Sequence, residues 1–438
     1  MRVQFLLLVT TAIVTNCHRT HSLNEYVETT DITNFWAAYD KITATHDSVL
    51  QLKYLDSLYF QQGTPGLAGI RQARNYSPQE YLNAINSYPK FWNSIRANTL
   101  EAQVLNTEFD EGIQKLGNLY PDLRPAKIYF TIGALRTGGT TMDSMVLIGA
   151  EISMTDSLTD ASEFPEEFSH LPTHFATNPK KHLVFLNIHE YVHTQQTPIE
   201  HNILSLVIYE GVAEFVAVKA LGVSSPNPQI AFGKANADRI RAVFEQEMFY
   251  PNNLYKWLHG NSPNEFGMRD LGYSVGYEIC EHYYNQASDK MAAIKTMIEL
   301  DYANEAEVEE FVRQSNYFSA PLEVIYENFE KSRPYVTSIK QFENKSQNVS
   351  PHIKEITVQF SQPLNGMNTG VDLGPLGQDA FPKGTINGRF WSEDNLSWTI
   401  PVTLEPNKQY QILISNNFRT EKSIPLKAYL IEFATGPA

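Results

Sequence analysis

The spacing of hydrophobic residues divides the chain into a long helical part and a shorter strand-rich part. From residue 31 to about 120, apolar residues recur every three or four positions, which predicts an amphipathic helical subdomain. From 335 to 438, apolar and polar residues alternate, and turn-forming stretches such as QPLNG and EPNKQ separate the runs. This alternation is typical of a β-sandwich. We therefore expect a mainly α region followed by an all-β module.

Residues 121–332 are predicted to combine a small β-sheet with long helices. The stretches KIYFTIGAL and MVLIGAEIS are rich in strand-forming residues and flank TGGTT, a turn-like sequence, so they predict a hairpin or two neighbouring strands. A helix is predicted from Asn178, a capping residue before proline, to about Gln196, and a second one ends at Gly222. Further helices are predicted at about 230–248, 270–300 and 304–332.

Composition narrows the choice of partner. The chain has 438 residues, of which 42% are hydrophobic, enough to build sizeable cores. It carries 34 basic and 49 acidic residues, a net charge of −15, and no basic block. This balance argues against nucleic acid or an anionic membrane surface as the main partner. A peptide, a protein or a small molecule is expected instead, and the oligomeric state stays open.

The N-terminal stretch MRVQFLLLVTTAIVTNC has the length and apolar run of an export signal and is too short to span a bilayer. Because it ends at Cys17, it resembles a bacterial lipoprotein signal, in which that cysteine is lipidated. Asn16 departs from the usual Gly, Ala or Ser, and cleavage a few residues further on is the alternative. We predict a signal at 1–17 and a polar tether at 18–30. The protein is then exported, either anchored in the cell envelope by this lipid alone or secreted.

The stretch HEYVH, from His189 to His193, is the first candidate for chemistry. Two histidines four residues apart on a helix project from one face, so both imidazoles can reach a single metal ion. Glu190 lies to the side of such an ion, where it can take a proton from bound water. The pattern predicts a zinc site that includes its general base.

A catalytic zinc ion needs a third protein ligand and an open position for water. His201 follows His193 by eight residues without the glycine turn that would fold it back, so it is rejected as that ligand. Glu210 and Glu214 stand one helical turn apart in the apolar stretch YEGVAEF. Buried carboxylates are costly unless they are paired or bind metal. These two acids are therefore the candidates.

HEYVH followed by YEGVAEF resembles the gluzincin metallopeptidases, the class of aminopeptidase N and thermolysin. Glu210 aligns with their glutamate ligand, and Glu214 with the acid that holds the first histidine. Only 16 residues separate His193 from Glu210, slightly fewer than in those families, so Glu214 stays the alternative ligand. The resemblance implies a zincin-like domain, one Zn²⁺ held by His189, His193 and Glu210, and peptide-bond hydrolysis with Glu190 as general base.

A closer resemblance is to predicted zinc-dependent proteases of a domain of unknown function, including HExxH lipoproteins of bacteroidete bacteria. Their HExxH, EGxAE and GYxxGY motifs occur here in order, the last within LGYSVGYEICEHYY, and the match covers roughly residues 30–332. Tyr273 and Tyr277 stand one turn apart in the third motif. A phenol opposite the zinc usually stabilises the oxyanion, so one of them is the candidate donor, Tyr273 first. Aromatic packing between helices is the alternative role.

The C-terminal stretch ITVQFSQPLNG resembles bacterial immunoglobulin-like modules that follow extracellular catalytic domains. It implies an immunoglobulin-like sandwich at 335–438 that acts as a spacer or a weak adhesion surface. A carbohydrate-binding surface built on Trp391 and Trp398 is a rival function for this module. GALRT at 133–137 and IGAE, which ends at Glu151, weakly resemble substrate-amine sites of exopeptidases, but strand packing is favoured. Exopeptidase and endopeptidase activity both stay open.

The main alternative to an enzyme is a catalytically silent accessory lipoprotein of the cell envelope that retains the zincin fold. The intact Glu190 favours the enzyme, because a purely structural metal site has no need of a general base. The sequence does not identify the substrate or the cleavage preference.

Overall fold

A computed structural model describes residues 26–199, 202–260, 264–384 and 387–438. The chain divides into two compact units. The first contains the described residues of 1–196, 213–226 and 294–299, and the second those of 197–212, 227–293 and 300–438. Cys17 and the predicted export signal lie outside the described residues. Within the described ranges, no helix combines the length and the apolar content needed to cross a bilayer.

The prediction of a mainly helical region up to about residue 332 is confirmed. Four of the helices begin with proline at their first turn, where the missing N–H is not needed. The bounds are α1 Thr30–Thr43, α2 Ser48–Leu55, α3 Pro65–Ala73, α4 Pro78–Ser87, α5 Pro89–Leu100, α6 Asn106–Leu119, α7 Ala150–Ser153, α8 His170–Phe175, α9 Leu183–His193, α10 Ile203–Leu221, α11 Pro228–Ala235, α12 Ala237–Glu247, α13 Leu254–Trp257, α14 Gly272–Gln286, α15 Lys290–Ile298, α16 Glu305–Ser315 and α17 Leu322–Ser332.

Three of the predicted long helices are each two shorter ones. The stretch 230–248 is α11 and α12, 270–300 is α14 and α15, and 304–332 is α16 and α17. The last break has a clear cause, because Asn316 adopts a left-handed φ of 51° at the end of α16, and Pro321 precedes α17. The apolar spacing continues across such breaks, so spacing alone does not show them.

The sheet of the first unit has the strand order β1, β2, β4, β3. Its strands are β1 Val27–Glu28, β2 Lys127–Thr131, β3 Gly139–Met142 and β4 Met145–Gly149. Strands β1, β2 and β4 run parallel, and β3 pairs antiparallel with β4 at the end of the sheet. The predicted turn at TGGTT is wrong, since Gly139 already begins β3 and the chain reverses at Asp143, whose φ is 52°. Strand β1 also brings the end of the predicted tether into the fold.

Buried aromatic side chains fill the helical core beside this sheet. The ring of Phe35 on α1 lies 5.1 to 5.3 Å from the rings of Trp36, Tyr59 and Trp92, all of them buried. Aromatic side chains bury the most apolar area per residue and stabilise such contacts further by edge-to-face geometry. The periodic positions of α1 therefore build the core that supports the sheet.

The C-terminal strands are also confirmed, and they form two sheets. The strands are β5 Val336–Ile339, β6 Glu355–Phe360, β7 Val371–Asp372, β8 Phe390–Trp391, β9 Ser397–Pro401, β10 Gln409–Ile414 and β11 Tyr429–Ala434. One sheet has the order β5, β6, β9, β8 and the other β11, β10, β7. Residues of both sheets share one buried cluster. The short strands β5, β7 and β8 were not predicted, because each has too few residues to show an alternation.

Of the two tryptophans proposed for carbohydrate binding, Trp398 belongs to this cluster and Trp391 packs against it. Trp398 is 1% exposed, and Trp391 packs against the rings of Phe360 and Phe418 at 5.9 and 5.5 Å. A sugar-binding platform needs an open ring face, so the buried Trp398 does not provide one, while Trp391 is half-buried.

Candidate metal centre

Helix α9 holds both histidines of HEYVH on its buried side. His189 and His193 are 7% and 9% exposed, and their Nε2 atoms lie 3.2 Å apart. Helical spacing explains this geometry, because residues four apart are neighbours on one face. The two rings meet edge to face, with their centroids 4.8 Å apart. Two imidazole nitrogens therefore converge on one point.

Each histidine is held at its other ring nitrogen by an oxygen. Nδ1 of His189 lies 3.0 Å from Oε2 of Glu214, and Nδ1 of His193 lies 2.6 Å from Oε1 of Gln196. An oxygen acceptor at Nδ1 places the ring hydrogen there, which leaves a lone pair on Nε2. Two such lone pairs at 3.2 Å repel each other unless a positive charge lies between them. This is the arrangement expected of a pair of metal ligands.

Helix α10 supplies a third group, Glu210, which stands one turn before Glu214. Ligand atoms of His189, His193 and Glu210 all lie within 4.8 Å of one another, so this group can hold a metal ion. Glu210 is 8% exposed, and a carboxylate buried to this extent needs a partner. Two imidazoles and a carboxylate are also the donors of catalytic zinc sites that keep one position for water. The residues present thus fit zinc.

Glu214 lies behind His189 and is completely buried. Both of its oxygens have partners: Oε2 meets Nδ1 of His189, and Oε1 accepts a hydrogen bond from the Ser225 hydroxyl. Such pairing explains how a second acid is tolerated in the apolar helix α10, since an unpaired buried charge is strongly destabilising. Ser225 follows α10 in a loop, and nothing in the sequence pointed to it.

Glu190 lies on α9 beside β3, the strand at the edge of the sheet. Its side chain is partly exposed, and it packs against Gly139, where an added Cβ would come within 3.1 Å of Oε1 of Glu190. The hydroxyl of Thr137 donates to the carbonyl of Gly139 over 2.6 Å and fixes the start of β3. The candidate base is therefore in contact with the first residue of the outer strand.

His259 was not singled out from the sequence, yet it lies next to Glu210. Its Nε2 is 3.5 Å from Oε1 of Glu210, and its side chain is 49% exposed. Oδ1 of Asp270 accepts the backbone N–H of His259 over 2.8 Å. Burial raises the pKa of Asp270, while Arg269 and this hydrogen bond oppose the rise. A lone histidine in HGNSPNEFG has no spacing that would have revealed it.

The two tyrosines of the GYSVGY motif lie on α14 in different surroundings. The ring of Tyr273 meets that of His259 edge to face, with centroids 6.3 Å apart. Tyr277 is buried, and Nζ of Lys234 lies 4.8 Å from the centre of its ring. These contacts connect Tyr273 to Glu210 through His259.

Two glycines explain why the EGVAE and GYSVGY stretches occur together. A Cβ added to Gly211 on α10 would lie 2.2 Å from the carbonyl carbon of Gly276 on α14. One added to Gly276 would lie 1.9 Å from the carbonyl oxygen of Val207. The two helices thus cross backbone against backbone, which only glycine permits. Glu210, which directly precedes Gly211, is positioned by this crossing.

Glu151, weighed as a substrate-amine binder, is instead a buried structural acid. It is completely buried, and its carboxylate accepts backbone hydrogen bonds from Gly133 over 2.9 Å and from Leu135 over 3.3 Å. It therefore holds the GALRT loop in place and has no surface for a substrate. Burial raises the pKa of Glu151 to about 7, although these hydrogen bonds lower it.

This pKa predicts a loss of stability at alkaline pH. The folded pKa of about 7 lies above the ordinary glutamate pKa of 4.5, so folding favours the protonated acid. That contribution is complete below about pH 4.5 and is lost as the pH rises through 7. Between pH 5 and pH 8, the free energy of unfolding of Glu151→Gln should rise by about 2 to 3 kcal/mol relative to that of the wild type. Urea unfolding across this range measures the difference. Parallel pH profiles for variant and wild type would refute the prediction, and Glu166→Gln, at an exposed acid, is the control.

Two other described residues, His282 and Cys280, do not belong to the metal-binding group. His201 lies outside the described residues. The ring of His282 packs edge to face on Tyr317, with centroids 5.6 Å apart. Cys280 is buried, and burial raises the pKa of its thiol well above the usual range, so it is a poor nucleophile.

Comparisons with known proteins do not assign a family. No family model and no curated protein matches the chain. Among solved structures, the chain is similar to two structures of the S-layer protein SbsC, one of residues 31–844 and one of domains 1–6, at 13% and 14% sequence identity. Each match covers 65% of this chain and 44% of the other, with a TM-score of 0.16. The chain thus spans less than half the length of these proteins, and likeness at this level supports no functional inference.

Proposed function

We propose that this protein is an exported, zinc-dependent peptide hydrolase with a gluzincin-like site. The observation that supports it most directly is the convergence of His189, His193 and Glu210, whose ligand atoms lie within 4.8 Å of one another. A zinc ion bound there would supply Lewis acidity and lower the pKa of its water to near 7. The zincin-like catalytic fold and the immunoglobulin-like C-terminal sandwich are parts of the same proposal, as is the lipid anchor at Cys17.

In this mechanism Glu190 is the general base. It follows His189 directly and is partly exposed, so it can accept a proton from the attacking water and pass it to the leaving amine. The water oxygen bonds to the peptide carbon, the C–N bond breaks, and the two hydrogens of water end on the new carboxyl and amine. Tyr273 donates a hydrogen bond to the carbonyl oxygen as its negative charge develops.

The substrate backbone is proposed to bind along the outer strand β3. It pairs only with β4 among the described strands, which leaves its other edge available to an extended peptide. Gly139 at its start touches Glu190. A peptide added to this edge would therefore run past the candidate base.

Glu190→Gln separates this proposal from a silent accessory role. The zinc-loaded chain is incubated with a degenerate peptide library, half of it blocked at the N-terminus, and cleavage is followed by mass spectrometry. We expect the variant to cleave about 10² to 10⁴ times more slowly, because it lacks the general base, and to keep its zinc. The control is Glu166→Gln, at an exposed acid outside the HEYVH motif.

Two results would contradict the proposal. Zinc-loaded wild type that cleaves nothing in the library would favour the accessory role, and so would undiminished cleavage by Glu190→Gln. Cleavage of the unblocked half alone would identify an aminopeptidase, cleavage of both halves at internal bonds an endopeptidase, and removal of C-terminal residues from both halves a carboxypeptidase.

A further inference from the structure

His259 is close to Glu210 but is not one of the converging ligands. Its Nε2 lies 3.5 Å from Oε1 of Glu210. Among the described residues, the group whose ligand atoms lie within 4.8 Å of one another contains His189, His193 and Glu210, and His259 does not join it. His259 thus contacts one ligand without converging on the ion's position.

The three ligands have a common pattern of support. His189 is held by Glu214 and His193 by Gln196, in each case at the ring atom that faces away from the other histidine. A carboxylate ligand also needs an outer partner, because it must present one oxygen in a fixed direction. His259 is the residue in that position for Glu210.

The backbone around His259 is strained in a way that burial does not explain. His259 and Asp270 adopt left-handed φ values of 57° and 56°, a backbone conformation that is unfavourable for residues other than glycine. Oδ1 of Asp270 accepts the N–H of His259 over 2.8 Å and so fixes this turn. The next residue is Gly260, where an added Cβ would lie 2.1 Å from the carbonyl oxygen of Tyr255. A half-exposed imidazole gains little from packing, so the strained turn serves to bring it to Glu210.

We propose that His259 is a positioning residue: it holds the carboxylate of Glu210 in the orientation that metal binding requires and does not itself bind the ion. Asp270 acts indirectly, because its hydrogen bond to the backbone N–H of His259 fixes the turn that carries the imidazole. A metal ion held by the three protein ligands would then keep one coordination position for water, as an open zinc site requires. This inference depends on metal binding at the site and not on peptide hydrolysis.

The test is the zinc affinity of the full chain, measured by competition with a chromogenic chelator. His259→Asn removes the imidazole while keeping a residue that tolerates left-handed backbone, so the fold is preserved. We expect it to bind zinc about 10 to 100 times more weakly than the wild type, the usual cost of losing an outer partner. His259→Gln, whose amide reaches further, should recover part of the loss. His352→Asn, at an exposed histidine of the β-module, should bind as the wild type does.

A double-mutant cycle tests the role of Asp270. Asp270→Ala should also weaken zinc binding, because it releases the turn that carries His259. The double variant His259→Asn with Asp270→Ala should bind no more weakly than the weaker of the two single variants, since both act through Glu210. Fully additive losses of zinc affinity would show that Asp270 does not act through His259 and would contradict this role.

Cobalt absorption distinguishes a positioning residue from a ligand. His259→Asn loaded with Co²⁺ should keep the visible spectrum of the wild type, because the coordinating atoms are unchanged. A changed visible spectrum in the Co²⁺-loaded variant would make His259 a ligand and overturn the proposal, as would a zinc affinity within twofold of the wild type. Wild type without zinc binding would overturn the metal centre as well. Normal binding in a chain that cleaves no peptide would leave this inference standing while the proposed function fails.

Discussion

His193→Ala is expected to purify without zinc, whereas the wild type should hold about one ion per chain. The substitution leaves His189 and Glu210, and two ligands with one imidazole do not retain zinc against dialysis. Its partner Gln196 would also lose the ring that it orients. Elemental analysis of protein prepared without chelator measures the metal content directly.

Thermal unfolding provides a second measurement of the same prediction. An ion that binds only the folded chain stabilises it, by about 4 kcal/mol at a free concentration 1,000 times its dissociation constant. Chelation should therefore lower the melting temperature of the wild type and leave that of His193→Ala unchanged. His352→Ala, at an exposed histidine, should behave as the wild type in both measurements. One zinc ion per chain in His193→Ala would refute the site.

Gly276→Ala is expected to have the largest effect on stability. The new Cβ would lie 1.9 Å from the carbonyl oxygen of Val207 and 2.9 Å from Cα of Gly211, both of them backbone atoms that no rotamer change can move away. The helices α10 and α14 would have to separate, at a cost of about 3 kcal/mol or more. For a unit of this size, the melting temperature should fall by about 6 to 12 °C. Circular dichroism on the metal-free chain measures it.

Gly117→Ala is the matched control for this substitution. Gly117 also lies within a helix, α6, but its nearest neighbour to an added Cβ is Cδ2 of Leu123, at an ordinary 3.7 Å. Alanine there should stabilise the chain by about 0.5 to 1 kcal/mol, because glycine is the poorer helix former. Equal effects of the two substitutions would show that the close crossing at Gly276 is not required.

The parts of the fold that could be predicted from the sequence are those determined by local spacing. The helix that carries HEYVH and the strands around Ile356, Ile400 and Ile412 follow from apolar periods of 3.6 and 2. The convergence of His189 and His193 is local in the same sense, since one helical turn brings them together.

The remaining features depend on contacts between elements that no periodic spacing in the sequence reveals. Ser225 meets Glu214, and His259 meets Glu210, with no motif to mark either residue. The strand β3 was mistaken for a turn because GGTT has a turn-like composition, which pairing with β4 overrides. Trp398 was considered for an exposed surface, but alternation does not show which side of a strand faces the core.

The short length of β3 also affects how the protein behaves at high concentration. Unpaired strand edges are templates for intermolecular sheets, and long flat ones lead to aggregation. Strand β3 has only four residues, Gly139–Met142, and the chain turns sharply at Asp143 immediately after it. Two molecules that met edge to edge at β3 could therefore align only these four residues. An open edge this short is a weaker template for an intermolecular sheet than a long flat one.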